Sequence, residues 1–164
     1  MPEDCTTAVR PGQVFRSPVL LLAFGFGAGL APRAPGTVGT LAAIPLYLAL
    51  SHFSQGVYLL LVTVVCVIGV WICQRAADRL GVHDHPGIVW DEFAGFLVTM
   101  IPAPVSWPWT LAGFGLFRLF DIWKPWPISW VDRHCKGGLG IMLDDLLAGG
   151  LAAVVLYTLV RVAP

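Results

Sequence analysis

Apolar and polar positions run in long blocks along this chain. After a polar, irregular stretch (residues 1–16), the segment SPVLLLAFGFGAGLA (17–31) is apolar and dotted with glycine. It is short for a full membrane span, so a re-entrant or half-buried helix stands level with a span. A proline directly after Ala31 and the absence of a polar cleavage region argue against a removed signal peptide. PRAPGTVGT (32–40) reads as a loop that feeds the apolar helix LAAIPLYLAL (41–50), and SHFSQG (51–56) as a turn. VYLLLVTVVCVIGVWIC (57–73) holds 17 residues without a charge and is the strongest transmembrane candidate. Polar QRAADRLGVHDHPGI (74–88) follows, then two short apolar runs, 93–101 and 110–117, around the uncharged turn PAPVSWPW (102–109). A charged block (118–136) precedes the last apolar segment, 146–160. This pattern predicts an all-α protein, a small helical membrane bundle. Residues 1–18 form a polar N-terminal segment and 19–164 a single helical domain.

Charge sharpens the picture. Charged residues make up 12% of the 164, about half the share in ordinary soluble domains, and hydrophobic ones 57%. A greasy-cored soluble bundle is the competing reading, which this deficit disfavours. Basic and acidic residues balance at 10 each, so nothing favours nucleic acid. The turns 51–56 and 102–109 carry no charge, whereas 32–40, 74–92 and 118–145 carry 15 of the 20 charged residues. Alternate loops therefore put the charged ones on one side of a membrane. Arg33, Arg75, Arg79, Arg118, Lys124, Arg133 and Lys136 mark that side as cytoplasmic. The predicted polar site thus faces the cytoplasm at the membrane interface. Cys73 and Arg79 match the C-x5-R spacing of cysteine phosphatases, but CQRAADR has no glycine and reads as helix, not as a phosphate-cradling loop.

The acids are grouped. GIVWDEFAG (87–95) and GIMLDDLLAG (140–149) share G-I-x-x-D-acid, with a glycine four residues past Asp91 and past Asp145. Each acidic pair is expected at the cytoplasmic start of an apolar helix. Acids at a helix start favour its dipole, which explains one acid per helix better than two adjacent ones. With Asp84 and Asp121, six of the ten acids fall in three short segments. Carboxylates without a cysteine–histidine ligand pattern suit a hard cation, Mg²⁺ above Zn²⁺. The expected metal ligands are Asp84, Asp91, Glu92, Asp121, Asp144 and Asp145. In RAPGTVGT, glycines and threonines before an apolar helix can aim backbone N–H groups at a phosphate, with Thr37 or Thr40 as cap; a plain turn and cap is the alternative. Arg118 and Asp121, three apart, can share one helical face, Arg118 on phosphate and Asp121 on metal. Lys124 stands before a helix-ending Pro125. His83 suits proton transfer or the orientation of Asp84. Together these residues describe metal-assisted hydrolysis of a phosphate monoester on a lipid headgroup.

PRAPGTVGTLAAIPL, GVHDHPGIVWDEFAG, FRLFDIWKPWPI and GGLGIMLDDLLAG, in that order across residues 20–160, are similar to the motifs of the phosphatidylglycerophosphatase A family. The resemblance implies an all-helical fold and Mg²⁺-dependent removal of phosphate from phosphatidylglycerophosphate. It implies a bacterial inner-membrane location, with the phospholipid as partner and no obligate protein partner. Its acidic signature falls on His83, Asp84, Asp91, Glu92, Asp121, Asp144 and Asp145. Its glycine-rich signature falls on Pro35, Gly36, Thr37 and Gly39, with Thr40 beside it, and its basic positions on Arg118 and Lys124. Catalytic duty is expected of His83, Asp84 and Asp121. Two alternatives stand: a phosphatase of another lipid phosphate, and a small cation-binding or cation-transporting membrane protein.

Overall fold

The computed structural model describes residues 9–82 and 85–163, and these are all-helical. Two short helices, α1 (Pro11–Arg16) and α2 (Pro18–Ala23), lead into a 3₁₀ segment, Gly25–Leu30. Left-handed Phe26 and Gly27 break that segment, so 17–31 does not form one straight helix. Next come α3 (Pro35–Leu50), α4 (Gln55–Leu80), α5 (Trp90–Thr99), α6 (Trp107–Trp123), α7 (Ile128–His134) and α8 (Gly137–Val162). Val14 of α1 is fully buried with Leu20, Phe24, Ile72 and Cys73, so part of the segment 1–18 belongs to the core.

Helices α4 and α8 are long and apolar enough to cross a membrane. Each has 26 residues, about 39 Å at 1.5 Å per residue. Their outer faces are apolar: Leu60, Val67 and Trp71 on α4 and Val154 and Tyr157 on α8 are exposed. The ten-residue α5 is too short to cross and is wrapped by its neighbours, with Phe96 and Leu97 fully buried.

Helix α8 is the central element, and α5 packs on it most heavily. The reason is two glycines. A Cβ on Gly149 would collide with the Gly95 carbonyl, and one on Gly95 would lie 2.7 Å from the Asp145 carbonyl oxygen and 2.5 Å from the Phe117 ring. Thr99 donates its hydroxyl to the Gly95 carbonyl at 2.9 Å and also reaches the Gly149 carbonyl at 3.4 Å. The glycines that follow the two acidic pairs therefore touch each other, and the weak sequence repeat is the two halves of one helix contact.

Three local expectations change. The helix predicted to begin at 41 begins at Pro35, with left-handed Ala34 as its N-cap and no side-chain cap. Thr37 and Thr40 are thus inside α3 and neither caps it, because Pro35, with its preset φ, already opens the helix. The polar stretch 74–88 continues α4 to Leu80 before it breaks. The pair Asp144–Asp145 sits in the third turn of α8, whereas Asp91 and Glu92 occupy the first turn of α5. A dipole argument covers α5 alone, since that effect fades within one turn.

Candidate active site

Four chain segments converge at the charged end of the bundle. Helix α5 starts where it does because the Val89 N–H is spent on the Ala23 carbonyl at 2.8 Å, which moors the preceding loop to α2. This places Asp91 and Glu92 at the helix mouth. Helix α8 supplies Asp144 and Asp145, and α6 supplies Arg118 and Asp121, three residues apart on one face as expected. Lys124 ends α6 in a left-handed conformation (φ +44°), and Pro125 follows it. The start of α3 closes the site. Gly36 has no side chain to spare there: a Cβ would run into the Glu92 carboxylate and lie 3.1 Å from the Arg118 guanidinium.

These residues wall a cavity of about 280 Å³ lined by Ala34, Pro35, Gly36, Pro86, Ile88, Asp91, Glu92, Arg118, Asp121, Lys124, Asp144 and Asp145. Oxygens of Asp91, Glu92 and Asp145 lie within 4.8 Å of one another. Adjacent residues on a helix point about 100° apart, and the neighbouring aspartates of α8 divide accordingly. Asp145 joins the triad, while Asp144 pairs with the Lys124 ammonium at 2.8 Å. Lys124 also holds Asp132 of α7 at 2.6 Å. Arg118 contacts Asp121 at 2.5 Å and Glu92 at 3.8 Å.

The donor set fits a hard divalent cation. Glu92 Oε2, Asp144 Oδ1 and Asp145 Oδ2 are buried oxygens with no hydrogen-bond partner among the described residues. Five carboxylates line the cavity against two basic side chains, leaving negative charge for a cation to offset. Burial first, then the neighbouring Asp145 charge, push the Glu92 carboxyl up to about 8. Burial opposes the Lys124 charge, but Asp132 and Asp144 outweigh it and hold that group above the ordinary lysine range. Arg118 Nε is itself buried without an acceptor among the described residues, in a cavity wall.

Of the residues singled out in the sequence, the fold brings Pro35, Gly36, Asp91, Glu92, Arg118, Asp121, Lys124, Asp144 and Asp145 together at this cavity. Thr37 lies in the first turn of α3. Gly39 packs against Val89, and the buried Thr40 hydroxyl donates to the Gly36 carbonyl at 2.9 Å, so both serve the helix more than the cavity wall. His83 and Asp84 lie outside the described residues. Sequence reasoning missed Asp132, whose only signal was a nearby lysine in need of a counter-charge.

Two membrane-length helices and a cavity lined by five carboxylates, an arginine and a lysine suit an enzyme that handles phosphate at a membrane. Comparison narrows the class. The model of the family "Phosphatidylglycerophosphatase A" matches residues 21–160. Phosphatidylglycerophosphatase A of Escherichia coli (strain K12) is 49% identical over 142 residues, 86% of this chain and 83% of that protein. The Haemophilus influenzae phosphatidylglycerophosphatase A is 43% identical over 145 residues, 87% of this chain and 89% of that protein. A Bacteroides thetaiotaomicron protein provisionally named a phosphatidylinositol-3-phosphatase is 36% identical over 138 residues, 79% of this chain and 86% of that one. No solved structure matches. The chain belongs to the phosphatidylglycerophosphatase A family and is a phosphatase.

Proposed function

We propose that this protein hydrolyses the terminal phosphate of phosphatidylglycerophosphate, giving phosphatidylglycerol and inorganic phosphate, with Mg²⁺ as cofactor. The observation that carries the reading is the convergence of Asp91, Glu92 and Asp145 within 4.8 Å in a cavity that also holds Arg118 and Lys124. That triad would hold Mg²⁺, with Asp84, Asp121 and Asp144 as further ligands, and the bound ion would supply Lewis-acid polarisation of phosphate oxygens and a more acidic water. The protein groups do the rest. Arg118 offers its guanidinium, whose Nε has no acceptor among the described residues, to the phosphoryl oxygens. Gly36 keeps the α3 N-terminus, the positive end of its helix dipole, against the same space. Water adds at phosphorus as the bond to the glycerol oxygen breaks. The proton lost by water is taken up in the set His83, Asp84 and Asp121, and one proton is returned to the departing alkoxide.

The membrane reading rests on α4 and α8, and on the basic residues clustered at the site end. From Leu146 to Val162, α8 runs 17 residues past the acids, about 25 Å of nearly uncharged helix. That length supports a pocket near the headgroup boundary; the location we propose is a bacterial inner membrane, with a multi-pass chain and the site facing the cytoplasm. The third relative's name favours a second reading, a different lipid phosphate monoester as substrate.

The test is phosphate release by purified full-length protein from a panel of lipid phosphates in mixed micelles. Phosphatidylglycerophosphate should be the best substrate, with activity lost in EDTA and restored by excess Mg²⁺. Inertness toward that lipid in Mg²⁺ would remove the substrate assignment. Full turnover in EDTA would remove the cofactor.

A further inference from the structure

Resting on the phosphatase reading above, the two cavity cations are not equivalent. Arg118 is the deeper, its side chain 14% exposed and set against Glu92 of the carboxylate triad. Lys124 is 30% exposed and stands six residues further along the chain, about 9 Å at helical rise. Next to it the surface turns apolar, with Trp123 and Trp126 69% and 80% exposed. From depth to rim the order is therefore Arg118 among the carboxylates, then Lys124, then exposed tryptophans. A phosphatidyl lipid with a terminal phosphate has the same order: monoester, then diester, then acyl chains.

Lys124 is also built for position. It holds a left-handed conformation that residues other than glycine adopt at a cost, which the surrounding contacts must offset. Those contacts are Asp132 of α7 at 2.6 Å and Asp144 of α8 at 2.8 Å. An ammonium has three donors; among the described residues Asp132 and Asp144 take two, which leaves the third for a ligand at the cavity rim. Helix α7 is anchored by buried Ile128 and Val131 and carries the exposed Asp132 carboxylate to Lys124.

We propose that Lys124, positioned by Asp132, reads the inner phosphodiester of the lipid headgroup while Arg118 takes the phosphate to be released. The pocket would then recognise two phosphates, and Lys124 would set specificity for lipids that carry both. Asp132 is a positioning residue, acting only through Lys124.

Two partial ligands separate the roles. Phosphatidylglycerol keeps the diester without the monoester, and inorganic phosphate mimics the released group alone. Both are titrated as inhibitors of lipid hydrolysis by the full-length protein in mixed micelles with Mg²⁺. In Lys124→Gln and Asp132→Asn, the inhibition constant of phosphatidylglycerol should rise about tenfold or more, the loss expected for one charged hydrogen bond. That of inorganic phosphate should stay within about twofold. Lys124→Arg and Asp132→Glu should recover most of the phosphatidylglycerol affinity, which a merely folded but inactive scaffold would not do. A rise for inorganic phosphate, an equal rise for both, or no change in either overturns the proposal. Wild-type protein that releases no phosphate from phosphatidylglycerophosphate sinks the substrate reading instead, so the two failures are distinguishable.

Discussion

Adjacent glycines on α8 provide a matched test of how the pocket is assembled. A Cβ on Gly149 would sit 3.1 Å from the Gly95 carbonyl carbon and closer still to its oxygen, whereas a Cβ on Gly150 would meet nothing within 4 Å. Both residues lie in the interior of the same helix, so helix propensity alone favours alanine at each by about 1 kcal/mol. At position 149 that gain is outweighed. Backbone cannot swing aside as a flexible side chain would, so α5 and α8 must part, at an overpacking cost of about 1–3 kcal/mol. The triad is split between these two helices, Asp91 and Glu92 on α5 and Asp145 on α8. A displacement on the order of 1 Å at such a site costs about a hundredfold in rate. Gly149→Ala should therefore lose about two orders of magnitude in kcat/KM and melt lower in detergent. Gly150→Ala should keep wild-type turnover and melt at the same temperature or slightly higher. Phosphate release and thermal unfolding of the two variants side by side decide the matter. If Gly149→Ala is as active as Gly150→Ala, helix spacing does not set the carboxylate geometry.

Further outcomes follow from the electrostatics. Asp145→Asn removes one of several clustered buried carboxylates, so the metal-free protein should melt higher than wild type while activity and Mg²⁺-induced stabilisation are lost; thermal unfolding with and without Mg²⁺ checks both. Glu92, at about 8 in the folded protein against an ordinary 4.5, binds a proton in the folded state that the unfolded chain releases. In EDTA, stability contributed by that protonation should be present below about 4.5 and lost as pH rises to about 8, and a Glu92→Gln variant should flatten that slope in unfolding measured against pH. Arg118→Lys keeps the charge but deletes Nε and the planar fork, and kcat/KM should fall about tenfold or more with folding intact.

The extent to which sequence foretold the site varies residue by residue. Asp91, Glu92, Asp144 and Asp145 were visible because adjacent acids beside apolar helices demand counter-charge, and Arg118 with Asp121 because three residues apart is one helical face. Asp132 was not, since its pairing with Lys124 depends on a turn that returns α7 toward the end of α6. The cap expected of Thr37 or Thr40 failed because Pro35 starts the helix earlier than hydrophobicity does.

By itself the amino-acid order determined the helical class, the two long apolar helices and the collection of acids and bases at one end, all consequences of local hydropathy and charge. Only the tertiary structure decided which oxygens meet. It set Asp145 in the triad and Asp144 on Lys124, and it revealed that Gly95 and Gly149 touch. Helix rotation and backbone approach distance settle such pairings, and both are properties of packed helices that no single segment contains.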